Sequence, residues 1–260
     1  MSEFASASGH WYEKNGEPAY TQPNKSKPGE TRPTTLRDAK KLGLLPSVTT
    51  IIDLMAKPAL EYWKREQLIM AALTLPAVEG ESIRDYEARL REDAEAQSKA
   101  ARERGTEIHG WIEKHFLGEF TGGCPDEAAP FISAVEAALH THFGEQAWKA
   151  ERSFASPLGF GGKLDLHSGA VIIDYKTKDR IDHKKSMTYI ENLMQLSAYR
   201  RGLFPNGEHE SVVIANLFIG RELVDGKADV KIEAHEEDRW QEFECLLKLW
   251  QLIKGYSPTC

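Results

Sequence analysis

The sequence predicts a mixed α/β or α+β sandwich, and three observations carry that reading. Helical periodicity dominates residues 46–145 and gives way, near residue 147, to alternation, β-branched residues and turn-marking glycines. The resulting three-strand meander is followed by a helix, further strands and a last helix, an order that belongs to layered α and β elements. Finally, Val171-Ile172-Ile173 is the unbroken apolar run of an interior strand. A chain of 260 residues with 41% hydrophobic content can bury an ordinary core, so one compact body with elaborations is the simplest organisation.

Residues 1–45 are rich in Gly, Pro, Ser, Thr and Lys and read as a flexible N-terminal arm. Inside it, Asn15-Gly16 marks a short hairpin, because Asn-Gly favours the primed turns that join antiparallel strands. The stretch 21–35 reads as a loop with Lys25, Lys27 and Arg32 solvated. Residues 46–145 form a helical region that caps the body. In it, Ser47 is placed to cap one helix, and Pro58 opens a second that carries Leu60, Trp63, Leu68 and Ala71. Ser82 begins a long polar helical stretch through Ala101 that runs into residues 102–120, and a further helix covers about 127–143. Residues 146–260 form the sheet-bearing core: the meander within 146–179, a helix over 187–204, a strand over 211–220, a short strand near 229–234 and a helix over 236–255.

Composition narrows the function. No segment reaches the roughly 18 apolar residues of a membrane span, and the N-terminus lacks a basic head before an apolar block, so a soluble cytoplasmic protein is expected. Cys124, Cys245 and Cys260 are scattered without C-x-x-C spacing, which disfavours a zinc site, a disulfide framework or an iron–sulfur cluster within one chain. The net charge of -7 argues against a surface that is a nucleic-acid platform throughout. The charge is uneven, however: residues 79–97 are acidic and 176–186 are basic, and a local basic strip beside a metal site suffices to hold a phosphate backbone. No GxxxxGK[ST] loop is present, since GFGGKLD does not match it.

The chemistry concentrates in residues 164–176. Read as a hairpin turning at Ser168-Gly169, this segment sets Asp165 opposite Ile172, so Asp165, Asp174 and Lys176 project from one face. Two carboxylates and an ammonium at the end of an apolar strand suit Mg²⁺ or Mn²⁺, hard cations that take oxygen ligands and keep sites for water and phosphate. A lysine beside such a cation can orient the attacking water and offset transition-state charge. An isolated Asp-x-Lys is more often the polar face of a half-buried sheet. The matched Asp165 and the apolar run before Asp174 move the balance. His109 follows Gly105 by one helical turn, and Gln195 and Tyr199 are likewise four apart; each pair alone reads as packing.

Together, G105-T-E-I-H109, Glu151, G162-K-L-D165, I173-D174-Y-K176-T and Q195-L-S-A-Y199 resemble the RecB-type branch of the PD-(D/E)XK nucleases. Residues 34–63 are similar to a group of phage and prophage exonucleases of that branch, and the likeness extends to about residue 205. The resemblance implies a restriction-endonuclease-like core, a central mixed sheet flanked by helices, binding one or two Mg²⁺ or Mn²⁺ ions. It implies His109, Asp165, Asp174 and the Tyr175 backbone carbonyl as metal ligands and Lys176 as the catalytic lysine. Gln195 and Tyr199 would support the site, and Glu151 would be an accessory acid. The motif acid at position 174 is Asp rather than the commoner Glu, and the cysteine-bound cluster of some relatives is absent.

The function expected is therefore a DNA exonuclease working at duplex ends in a bacterial or phage-infected cell, in phage-type recombination beside a single-strand annealing protein. A closed homo-oligomer is compatible with the resemblance. Lys178, Arg180, Lys184 and Lys185 are expected to follow the DNA backbone. The competing readings are a structure- or sequence-selective endonuclease, a non-catalytic DNA-binding module and a hydrolase of small phosphorylated molecules.

Overall fold

The computed structural model describes residues 9–204, 207 and 211–259. Cys260 lies outside them. The described residues form a mixed α+β structure with seven helices and a five-stranded mixed sheet. The chain divides into two compact units, Met1–Leu54 with Trp111–Cys260 and Met55–Gly110.

The smaller unit is built on α3 (Pro58–Thr74) and most of α4 (Ile83–Phe116). Pro58 occupies the first turn of α3, where its missing N–H costs nothing. Ser82 caps α4, its hydroxyl accepting from the Asp85 amide at 3.2 Å and donating to that carboxylate at 2.7 Å. Between the helices, Arg89 grips Glu81 through two nitrogens at 2.9 and 3.0 Å and donates to the Pro76 carbonyl. The α3 residues Tyr62, Ile69, Met70 and Leu73 are exposed.

The larger unit holds the sheet, in the order β5 (Lys149–Ser156), β6 (Phe160–His167), β7 (Val171–Lys178), β8 (Val213–Val224) and β9 (Lys227–His235). Neighbours are antiparallel except β7 and β8, which run parallel because α6 (Ile190–Leu203) makes the crossover between them. Helix α6 packs along β5, β6, β7 and β8. Helix α5 (Ala129–Phe143) packs on β9 and meets Val230 and Ile232, whereas Lys231, Glu233 and His235 point to the face that carries α6. Glycine allows the α6 contact: a Cβ at Gly162 would stand 2.7 Å from Tyr199 Cε1 and from Phe154 Cε1. The core is closed by α7 (Trp240–Lys254), which buries Phe243, Leu247 and Trp250, each contributing about 1.5–3 kcal/mol by leaving water.

The N-terminal residues belong to this unit. The predicted Asn15-Gly16 turn forms, with Gly16 at φ 93° and the Glu13 amide bonded to the Glu17 carbonyl at 2.8 Å. Its leading strand β1 (Trp11–Tyr12) pairs with β4 (Leu45–Pro46), and Trp11 packs edge-on against Trp250 at 6.1 Å. Ser47 caps α2 (Val48–Ile52) as expected, accepting from the Thr50 amide at 3.0 Å.

Three local expectations are corrected. The presumed loop at 21–35 contains a hairpin of β2 (Thr21–Pro23) and β3 (Thr31–Pro33), and Arg32 is held bidentately by Asp38 at 2.6 and 2.8 Å rather than solvated. Asp38 also completes a capping box with Thr35 that starts an unforeseen helix, α1 (Leu36–Leu42), and Gly43 ends it at φ 70°. The strand at 229–234 is longer than expected. Asp225-Gly226, both at positive φ, turns β8 directly into β9, which is the use such a dipeptide has in hairpins.

The third correction concerns the turn between β6 and β7. His167 pairs with Ile172 and the Ser168 amide donates to the Val171 carbonyl, so the turn residues are Gly169-Ala170 and not Ser168-Gly169. Ser168 stays at the strand end because its hydroxyl donates to Gln146 and accepts from the amides of Ala170 and Val171. Asp165 thus lies across from Asp174 rather than Ile172. Moving the turn by one residue shifts the pairing by two, which leaves every side chain on its predicted face.

Candidate active site

A row of polar residues crosses the sheet where its strands would otherwise be apolar. Asp174 on β7 pairs with Asn216 on β8, and Asn216 pairs with Glu233 on β9. Extending the strand registers in the other direction sets Asp165 on β6 across from Asp174 and Glu151 on β5 across from Asp165. Within this row Asp174 is 3% exposed and Asn216 is fully buried. Buried groups of this kind persist only when their hydrogen bonds are made.

At Asp165 the ladder opens. Pairing of β6 with β7 stops at Leu166 and Ile173, and the Tyr175 amide, next in line for a cross-strand carbonyl, instead donates to Asp165 Oδ2 at 2.7 Å. The carboxylate takes the place of a backbone acceptor and wedges the two strands apart. The Tyr175 ring is buried, and burial, with the Asp165 charge behind it, raises its phenol well above the ordinary value.

Asp174 is held at both oxygens. Gln195 Nε2 donates to Oδ1 at 2.9 Å, Asn216 Nδ2 donates to Oδ2 at 3.0 Å, and the Lys176 ammonium sits 2.6 Å from Oδ2. Gln195 also accepts from Lys176 through Oε1 at 3.2 Å and approaches the Tyr199 hydroxyl at 2.9 Å. The four-residue spacing read from the sequence thus places Gln195 and Tyr199 on the α6 face that meets the carboxylate. Burial, then the negative charge of Asp174, raises the Tyr199 phenol, which stays protonated. Asp174, Lys176, Gln195 and Tyr199 form one connected cluster, with Asp165 on the neighbouring strand.

Glu151 is in the left-handed region at φ 58°, rare for a residue other than glycine, and its carboxylate pairs with Lys163. His109 is half-buried on α4 in the smaller unit, one residue before that unit's boundary at Gly110. Lys178 ends β7 with its ammonium 4.8 Å from the Tyr189 ring centre. Its pKa is lowered by burial first, then by the charges of Lys176 and Arg221. Arg180, Lys184 and Lys185 are exposed on the loop after β7. Asp182 anchors that loop by accepting from the amides of Lys184 and Lys185 at 2.8 and 3.2 Å, and Lys231 donates to the carbonyls of Asp182 and Lys185.

Sequence reasoning missed Asn216, Thr188, Glu233 and His235. Asn216 had a visible signal: it is the one polar side chain within Val212–Ile219, and a buried amide in such a run must serve a partner. Glu233 accepts from the Ser186 and Thr188 hydroxyls at 2.9 and 2.7 Å and from the Met187 amide at 3.0 Å, and it pairs with Lys231. Burial by itself would raise the Glu233 pKa, but Lys231, Thr188, the Met187 amide and Ser186 together pull it down to about 2.

The donor set suits a hard divalent cation. The anionic donors near the strand fork are the carboxylate oxygens of Asp165 and Asp174, and Mg²⁺ commonly takes only one or two protein carboxylates. Among the described residues no three His, Cys, Asp or Glu gather into a cage, so a cation bound here would keep most of its shell for water and substrate oxygens. Asp165 and Asp174 would hold it, and Lys176 would leave the Asp174 oxygen it now pairs with. Cys124 and Cys245 are exposed and free. No helix of the described residues is long and apolar enough to cross a membrane.

No family model and no curated protein matches the chain. Among solved structures, the protein SSO0001 aligns with 58% of this chain and 76% of its own, at 13% identity and a TM-score of 0.28. A likeness of that degree carries no argument about fold or function.

Proposed function

We propose that the chain is a metal-dependent DNA nuclease of the PD-(D/E)XK type, with a restriction-endonuclease-like core and an exonuclease's preference for DNA ends. The observation that carries the reading is the convergence of Asp174, Lys176, Gln195 and Tyr199 beside Asp165 at a fork in a mixed sheet. A fold gains nothing from concentrating these groups at the end of an apolar strand, whereas phosphodiester hydrolysis needs carboxylates for a cation and a positive charge beside the attacking water. Asp165 and Asp174 are the proposed metal ligands. His109 and the Tyr175 carbonyl are added on the family resemblance alone.

When bound, Mg²⁺ or Mn²⁺ supplies a Lewis acid that favours hydroxide over water and offsets phosphate charge. The chain's own residues do the rest. Gln195 fixes Asp174 through its amide and Lys176 through its carbonyl, so carboxylate and ammonium keep a set relation. Lys176 places a full positive charge where the transition state gains negative charge. Tyr199, protonated and buried, holds Gln195 in that orientation. Arg180, Lys184 and Lys185 offer an exposed cationic loop to the phosphate backbone.

The test is digestion of end-labelled linear DNA, single- and double-stranded, beside closed circular DNA, with Mg²⁺, Mn²⁺ or chelator. Metal-dependent loss of linear DNA with circles intact is expected. Cut circles would make the protein an endonuclease, and undiminished digestion in excess chelator would remove the metal mechanism. Binding of DNA without cleavage under any of these conditions would leave a non-catalytic module.

A further inference from the structure

The geometry points to Asn216 and His235 as positioning residues that fix the Asp174 carboxylate and tie it to the base of the basic loop. The inference rests on the nuclease reading for the role of Asp174, but the hydrogen-bond chain itself belongs to the fold. Asn216 lies directly across the parallel β7/β8 pair from Asp174 and gives Nδ2–H to Oδ2 at 3.0 Å. A carboxylate acceptor orients that amide uniquely, leaving Asn216 Oδ1 as an acceptor. His235 Nε2 stands 3.1 Å from Asn216 Oδ1 and 3.4 Å from Thr188 Oγ1. The imidazole must therefore carry its proton on Nε2. Burial lowers the His235 pKa and favours the neutral ring, with Glu233 and Glu237 pulling the other way, and a neutral ring donating from Nε2 satisfies Asn216.

The chain then continues outward. Thr188 Oγ1 donates to Glu233 Oε2 at 2.7 Å, and Glu233 also collects Ser186 and the Met187 amide, which end the loop bearing Lys184 and Lys185. Seven residues from β7, β8, β9 and the loop are thereby linked. A carboxylate that must hold a cation while its Lys176 partner moves aside needs an independent restraint on its rotamer. Asn216 supplies that restraint at Oδ2 from the neighbouring strand while Gln195 holds Oδ1, and His235 prevents the Asn216 amide from turning over. Outer partners of metal ligands act in this way.

Three variants test the inference: Asn216→Leu, His235→Leu, and His235→Gln, whose side-chain amide keeps a donor near the Nε2 position. Mn²⁺ binding is measured by calorimetry and cleavage by single turnover on linear duplex DNA. Asn216→Leu should weaken Mn²⁺ binding by about 10- to 100-fold, the range typical of outer-partner losses. His235→Leu should weaken it less, and His235→Gln should restore it. A merely structural His235 would not separate Gln from Leu at equal thermal stability. The second readout needs no metal: in ¹⁵N-labelled protein the Asn216 side-chain amide should exchange slowly with solvent, shift in His235→Leu and return toward the wild-type position in His235→Gln. Wild-type protein that binds no Mn²⁺ would overturn the nuclease reading, and the amide signal would then decide the relay alone. Unchanged metal affinity in both Leu variants, or an Asn216 amide indifferent to His235, overturns the inference.

Discussion

Lys176 and Lys184 stand eight residues apart on one stretch of chain and live in different physical worlds. Lys176 is part-buried, paired with a 3%-exposed carboxylate and bound to a glutamine that is itself fixed by a tyrosine. Lys184 is exposed on a loop fastened by backbone bonds to Asp182 and, farther along, by Glu233. The first region is over-determined, because each polar atom has been taken from water and must be satisfied inside. The second keeps its side chains in water and only its backbone in place. Chemistry that needs a group held to within a fraction of an ångström belongs in the first kind of environment, and contact with a mobile, repetitive phosphate backbone belongs in the second.

The largest effect should come from attacking the over-determined region at Asp174. Asp174→Ala should abolish Mn²⁺ binding and cleavage together. Lys176→Ala should keep Mn²⁺ binding and lose about 100- to 1000-fold in single-turnover rate, since its charge acts on the transition state without being a ligand. Calorimetry beside rapid-quench cleavage separates the two. Equal metal affinities in both variants would show that the roles have been assigned to the wrong residues.

A second prediction concerns the packing that brings α6 to the sheet. Gly162→Val would drive methyl carbons into Phe154 and Tyr199, which already lie 2.7 Å from where a Cβ would sit. The cost should be about 1–3 kcal/mol of stability, read as a lower denaturant midpoint, with cleavage falling further than the unfolded fraction explains because Tyr199 is displaced from Gln195. A matching change at exposed Gly169, with open space around it, should cost far less.

How much of this was legible in the sequence follows from the same contrast. Local signals were readable: Ser47 and Pro58 start the helices they were expected to start, and the three-strand meander falls where alternation begins. The predicted shared face of Asp165, Asp174 and Lys176 does not depend on the misplaced turn, because a one-residue move of a hairpin turn preserves side-chain parity. Asp225-Gly226 was equally local, and its hairpin was overlooked. Partners of Asp174 on β8 and β9 were another matter. Asn216 meets it only across a crossover and Glu233 pairs with Asn216 only across a second hairpin, so no spacing rule connects them, and Arg32 finds Asp38 only because a short hairpin turns it there. Sequence also marked 176–186 as basic without separating the lysine that is paired from those that are solvated.

Glu233 sits where the two regions meet, and a pH experiment there sharpens the comparison. Its carboxyl is held near pKa 2 against an ordinary 4.5, so it adds stability at neutral pH that is lost as pH falls from about 4.5 through about 2. Glu233→Gln should melt below wild type at pH 7, and the gap should narrow through that window. A gap of constant size from pH 7 to pH 2.5 would mean that shape, not charge, holds the loop ends.

The smallest expected effect lies in the loop itself. Lys184→Ala with Lys185→Ala removes two exposed ammonium groups while sparing the Asp182 and Lys231 bonds, which run to backbone atoms. Thermal stability should therefore be unchanged. If both lysines follow phosphates, releasing about one counterion each, the slope of log binding constant against log salt should flatten by roughly 1.8. The rate at saturating DNA should hold, because these side chains are far from over-determined and act on the backbone rather than on the reacting phosphate. A duplex-binding titration across salt concentrations reads the slope directly. If it does not move, the loop is a solvated surface, and the cationic contacts to DNA must be sought closer to the strand fork, beginning with Lys178 over Tyr189 and its neighbour Arg221.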